Sequence, residues 1–264
     1  MRMMNNFMLL LVLVAACIPP GSAWAQNNLQ TEIAIKNLQD DGSPAKWRTI
    51  FDDFNYLNTA QWDTTSYGGG SAGTVSIPDS VNVNTSFYIG KQVTLATTAA
   101  ANSMVRLRGA GNGVQLYEGK YTEFEARIAL NTDSTNVGFA AGLVSTSANE
   151  DSITARGRFP TDGLIFLKRA GTARIMTSKA YTGVSADSAL TTKYIPRMTW
   201  RTLKITYGGP SGNVIRFYID GALVKAYTAT TKPLVTLRPF FEVRCKTAGI
   251  QKMFVDYVLV RQRR

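Results

Sequence analysis

The segment KYTEFEARIAL, residues 120–130, alternates in a two-residue period. Thr122, Phe124, Ala126, Ile128 and Leu130 fall on one side of an extended chain, and Tyr121, Glu123, Glu125 and Arg127 fall on the other. The same texture of short runs recurs from Trp47 onward. TVSI, SFYI, VTLAT, MVRLRG, VGFAAGLVS, GLIFLKR, ARIMTSKAY, RTLKITY, VIRFYI, ALVKAY, FFEVRC and MFVDYVLV are separated by Gly, Asn, Asp, Ser and Thr. None keeps a helical period over three turns, so the pattern predicts strands joined by turns, and hence a β-sandwich or barrel. The sharpest local signal is VIRFYIDGALVKAY, where Asp220-Gly221 is the dipeptide of a two-residue primed hairpin turn.

Before Trp47 the pattern changes. Arg2, the apolar run FMLLLVLVAA, the break Pro19-Pro20-Gly21 and the small-x-small site Ala23-Trp24-Ala25 predict an export signal over residues 1–25, cleaved before Gln26. The apolar run is too short to span a bilayer comfortably. Val14-Ala15-Ala16-Cys17 also resembles a lipoprotein box, so lipid anchoring at Cys17 is the alternative to cleavage after Ala25. Either route predicts an exported protein, periplasmic or extracellular, with no transmembrane helix once mature. Residues 26–46 read as a polar lead-in with a turn at Asp41-Gly42-Ser43-Pro44, and residues 47–264 as one domain.

Composition narrows the partners. Hydrophobic residues make up 45% of the 264-residue chain and charged residues 18%, which suits a globular core. The formal net charge of +11 favours anionic partners such as acidic polysaccharide or lipopolysaccharide phosphate. The basic residues are scattered, with no dense run interleaved with aromatics, which argues against nucleic acid. Part of the excess gathers at Arg261, Arg263 and Arg264, so the expected ligand is an anionic glycan or surface polymer bound with electrostatic help.

The chain has no histidine, and its two cysteines are Cys17 and Cys245. Signal cleavage leaves Cys245 alone, without a disulfide partner and without a Cys-His or Ser-His pair to activate it. Zinc sites of the usual composition are excluded. Cys245, inside FFEVRCK, is expected to be a small core or edge residue.

Several pieces, in order, resemble a concanavalin A-like jelly roll, the fold shared by legume lectins, laminarin-type glucanases and laminin G-like modules. FDDFN followed by Trp62 resembles the opening strand, YTEFEARI the "G-x-F-E-A-R" strand, and GFAAGLVS the next. TDGLIFLKRAG, FYIDGALV and FVDYVLVRQRR complete the series. The resemblance implies an all-β, two-sheet antiparallel jelly-roll sandwich whose first and last strands are close in space. The texture of Asp162 to Gly171, Phe217 to Gly221 and Val255 to Arg263 is also similar to tailed-phage virion structural proteins. That likeness implies a structural role on a virion or cell surface.

The glucanase branch of the fold carries Glu-x-Asp-x-x-Glu on an inner strand. The strand in the corresponding order here is DGLIFLKR, whose one acid is Asp162, with Leu164, Phe166 and Lys168 where further acids would stand. The motif is absent. Retaining glycosidases need carboxyls about 5–5.5 Å apart and inverting ones wider. Glu123 and Glu125, two residues apart on one strand face, sit about 6–7 Å apart and form the one candidate pair. Arg127 and Tyr121 continue that row, so the reading taken is a solvated sheet face and a non-catalytic module, with a hydrolase or lyase of the same fold as the alternative. Candidate ligand contacts are Tyr67, beside Gly68-Gly69-Gly70, together with Tyr121 and Arg127. Trp62, Tyr181, Tyr194 and Trp200 are further aromatics in or near loops, with Trp62 and Trp200 expected in the core. No cofactor is expected. Calcium is the one candidate ion, at Asp52 or Asp53 in the opening strand and Asp256 in the last.

Overall fold

In this computed structural model the described residues are 47–54, 57–67, 73–77, 92–111, 113–132, 135–145, 160, 162–181, 184–208 and 212–263. The predicted signal, lipid box and lead-in, the run SFYI and the triple glycine after Tyr67 lie outside them.

Among the described residues the chain forms strands and turns. The first sheet contains β1 (Trp47–Asp52), β3 (Thr74–Ser76), β4 (Val93–Ala96), β6 (Thr122–Leu130), β11 (Arg201–Tyr207), β12 (Val214–Ile219), β13 (Ala222–Thr228) and β15 (Lys252–Arg263). The second contains β2 (Trp62–Tyr67), β5 (Met104–Gly109), β7 (Val137–Val144), β8 (Gly163–Lys168), β9 (Met176–Tyr181), β10 (Val184–Leu190) and β14 (Arg238–Cys245). The first sheet runs β13-β12-β11-β6-β15-β4-β3, with β1 also on β15, and the second β10-β9-β8-β7-β14-β5-β2. Every strand pairing is antiparallel.

β15 organises the first sheet. One side bonds β6, and the other bonds β4 along Lys252–Val255 and β1 along Val258–Arg263. Asp256 is the bulged residue between the two halves, where the register against β6 shifts. First and last strands are thus hydrogen-bonded neighbours.

Alternation supplies the core. Phe124, Ala126 and Ile128 of β6, Leu203 and Ile205 of β11, and Phe217 of β12 point inward from one sheet. Leu107, Phe139, Phe166 and Phe241 meet them from the other. Phe166 and Phe217 pack edge-to-face at 5.2 Å, and Phe124 lies 6.2 Å from Phe241. Such aromatic pairs add about 0.5–1.5 kcal/mol beyond the area they bury. Trp62 is in this core as expected, against Phe54 at 5.4 Å.

β7 and β8 are buried on both faces. Their outward side chains Ala140, Val144, Ile165 and Leu167 join Phe240 in a second, smaller apolar cluster. Gly142 belongs to this arrangement for steric reasons, because a Cβ there would lie 2.2 Å from the Leu164 carbonyl oxygen of the next strand.

The hairpin is as the sequence predicts. Ile219 pairs with Ala222 across Asp220 and Gly221, whose φ values are 51° and 77°. Two positive φ angles are the signature of the type I′ turn.

Candidate functional site

Register on the outward face of the first sheet decides the fate of the carboxylate pair. Glu123 stands opposite Thr206 of β11 and Arg261 of β15, and Glu125 opposite Lys204 and Leu259. Lys204 Nζ reaches both acids, 3.0 Å from Glu123 Oε1 and 3.2 Å from Glu125 Oε2. Glu123 Oε2 accepts from the Tyr121 hydroxyl at 2.5 Å and from Arg261 Nη2 at 3.1 Å. The Tyr257 hydroxyl donates to Glu125 Oε1 at 2.9 Å. Trp47 then closes over the group, edge-on to Tyr121 and beneath the Arg261 guanidinium at 5.1 Å.

This differs from the solvated row expected from alternation. Glu123 is 1% exposed and Arg261 5%, because charges from three strands neutralise one another and an aromatic layer excludes water. Arg261 is therefore spent inside the protein instead of forming an exposed basic end. Burial by itself pushes the Glu123 carboxyl up, but Lys204, the Tyr121 hydroxyl and Arg261 outweigh it and hold the group below its ordinary 4.5. Lys204 is raised, since the two glutamates outweigh its burial. The Tyr121 and Tyr257 phenols are pushed up, first by burial and then by their glutamate neighbours.

Such a pair is poorly placed for sugar chemistry. A general acid must hold its proton near neutral pH, and Glu123 is shifted the other way. A nucleophile or base needs an oxygen facing substrate, and all four carboxylate oxygens here face a cation or a phenol. The other place for acids, β8, carries Leu164 and Phe166 toward the main core and Ile165 and Leu167 toward the second cluster.

Of the candidate ligand contacts, Tyr121 is half-buried in the carboxylate network. Arg127 is exposed, pairs with Asp256 at 3.2 Å and lies 5.2 Å over the Trp200 ring. Trp200 is half-buried, not enclosed like Trp62. The Tyr67 backbone pairs with Met104, and its side chain lies outside the described residues. The structure thus brings Tyr121, just before β6, and Arg127 of β6 onto the outward face of the first sheet.

Asp53 and Asp256 come within electrostatic reach of each other. Burial raises Asp256, with Arg127 opposing the shift and Asp53 adding to it. Asp52 is raised by burial against its bonds to Trp62 Nε1, at 2.6 Å, and to the Phe54 amide. Calcium takes six to eight oxygens. Here Arg127 already neutralises Asp256, Asp52 is engaged by Trp62 and Phe54, and among the described residues no group of three or more His, Cys, Asp or Glu is placed to hold a metal. The described donors do not fit the ion.

A different region has open space. At one end of the sandwich a cavity of about 380 Å³ is lined by Arg48, Gly111, Gly113, Gln115, Tyr117, Thr236 and Gln262. Sequence reasoning missed it, because its walls come from β1, β15 and two loops. The one local hint was the glycine pair preceding Tyr117.

The sequence matches no protein-family model and no curated protein. Solved structures do match. An endo-1,3-β-glucanase from Streptomyces sioyaensis superposes with a TM-score of 0.56 at 17% identity, over 84% of this chain and 98% of that one. The carbohydrate recognition domain of Emp47p gives 0.53 at 14% identity, over 83% and 98%. A glycoside hydrolase family 16 endo-glucanase from Bacteroides ovatus gives 0.55 at 12%, over 80% and 99%. The fold is the concanavalin A-like jelly roll.

Proposed function

We propose that this chain is an exported, non-catalytic glycan-binding module. The observation that carries the reading is the Glu123–Lys204–Glu125 arrangement: the carboxylate pair singled out from the sequence is neutralised and largely buried. The apolar character of both faces of β8 supports it, since that strand offers no second pair. The similar structures include a carbohydrate recognition domain as well as glucanases, which agrees with glycan engagement on this scaffold. Export rests on the leader pattern of residues 1–25, and a structural role on a virion or cell surface rests on the sequence resemblance.

Incubation with a panel of neutral and acidic polysaccharides tests the reading. Retention in affinity electrophoresis without release of reducing or unsaturated ends is expected. Release that Glu125→Gln abolishes would make the chain an enzyme.

A further inference from the structure

The cavity at the end of the sandwich has a lining unlike the rest of the surface. Arg48 and Gln262 are cross-strand partners on β1 and β15. Both lie on the inward side of the first sheet, since Ile50, two residues from Arg48, packs against the main core and Gln262 bonds Thr122. The loop residues Gly111, Gly113, Gln115, Tyr117 and Thr236 complete the walls.

Three features of the lining point to one class of ligand. First, among the described residues lining the cavity Arg48 is the charged one, it is half-buried, and no described residue gives its guanidinium a hydrogen bond or an ion pair. A half-desolvated cation without a counter-charge favours an anion. Second, Gln262 is 8% exposed, and its Nε2 donates to Thr122 Oγ1 and to the Gln115 carbonyl. Its Oε1 accepts no hydrogen bond from a described residue, and the exposed Thr236 hydroxyl makes none with one. Those groups suit hydroxyls. Third, the Tyr117 ring is 51% exposed yet held in place, since its hydroxyl donates to Gln115 Oε1 while Gln115 Nε2 donates to the Leu234 carbonyl. A fixed, exposed ring is a ready apolar platform.

We propose that this cavity binds an acidic saccharide unit, with Arg48 on its carboxylate or sulfate, Gln262 and Thr236 on its hydroxyls, and the Tyr117 ring against its apolar face. A bare inorganic anion would leave the acceptor and the ring unused, and a neutral sugar would leave the charge of Arg48 without a counter-charge. The proposal rests on the glycan-binding reading above and adds to it a location and a charge. The surface row around Tyr121 and Arg127 is not part of it.

Titration of the full chain with oligogalacturonate, dextran sulfate and laminarin tests it at low and high salt. Oligogalacturonate or dextran sulfate is expected to bind more tightly than laminarin, with affinity falling as salt rises. Arg48→Gln keeps a polar side chain and removes the charge, and is expected to weaken acidic-glycan binding about tenfold or more. Gly111→Leu is a second probe. A Cβ there meets nothing within 4 Å, so the new side chain grows into open space and is expected to block binding while leaving the melting temperature unchanged. Wild-type affinity in both variants, with glycan still bound, would overturn the location and leave the glycan-binding reading intact. Equal, salt-independent affinity for laminarin and the acidic glycans would overturn the charge. Binding of none of the three by the wild type, together with none in a wider panel, would overturn both.

Discussion

Arg106 Nε lies 2.7 Å from Glu242 Oε2 across the β5–β14 pairing, with both side chains buried on the face of the second sheet turned away from the main core. Phe240 supports the pair, its ring 5.8 Å beneath the Arg106 guanidinium. Removing one partner takes the 2.7 Å ion pair from a charge held in a poorly hydrated place, a loss of about 3–5 kcal/mol for a buried pair. Arg106→Met or Glu242→Leu alone is expected to lower unfolding stability by that amount in urea titration. The double variant is expected to regain most of it. Single-variant losses under about 1 kcal/mol would show that neighbours such as Arg244 compensate the remaining charge.

The Glu123 network predicts an acid limb of stability. A carboxyl depressed on folding contributes stability above its unfolded value, ordinarily 4.5, and that contribution is lost as pH falls through the folded value. Asp52 and Asp256, raised chiefly by burial, act with the opposite sign: their contributions are present at low pH and lost as pH rises through their folded values. Comparing wild type with Glu123→Gln isolates the first effect. The wild type is expected to be the more stable at pH 7, with the gap narrowing as pH falls below 4.5. A gap that stays constant in urea midpoints down to acid pH would refute the assignment.

The β12–β13 turn predicts an asymmetric response. Gly221 sits at φ 77°, where a Cβ costs about 1–2 kcal/mol, so Gly221→Ala is expected to lose that much stability. Asp220 is also at positive φ, and its Oδ1 accepts from the Thr202 amide while Oδ2 pairs with Arg201. Asp220→Asn keeps the turn preference and the amide bond and gives up a part-exposed ion pair, for an expected loss below about 1 kcal/mol. Thermal unfolding of the two variants checks the order.

Expression of the full sequence in a bacterium tests the leader. The expected product is found outside the cytoplasm and begins at Gln26. Intact-mass measurement separates this from a product beginning at an acylated Cys17, and a cytoplasmic protein retaining Met1 would refute export.

The fold was legible where burial forces a pattern. β6, β11 and β12 alternate because one face must be apolar, and β7 and β8 read as continuous apolar runs because both faces are covered. β2 and β10 were not picked out. They are the outer strands of the second sheet, each bonded on one side, and WDTTSY and VSADSAL need few apolar side chains there. The candidate site was less legible. Alternation placed Glu123 and Glu125 on one face correctly, but their burial depends on Lys204 and Arg261, which only the register of three strands brings together. The cavity was invisible for the same reason, since Arg48 and Gln262 meet through the pairing of first and last strands.

That pairing also sets a schedule. β15 is the shared neighbour of β1, β4 and β6, yet a ribosome makes it after all three. At about 5–20 residues per second, Trp47 waits roughly 10–40 s for Arg263 to be synthesised. Through that interval the first sheet lacks its middle, β1 has no neighbour, and the outward faces that finally hold Glu123 and Arg261 stay wet. On the proposed export route, a translocation machine that accepts only unfolded polypeptide would have that long to engage the chain before its first sheet can close.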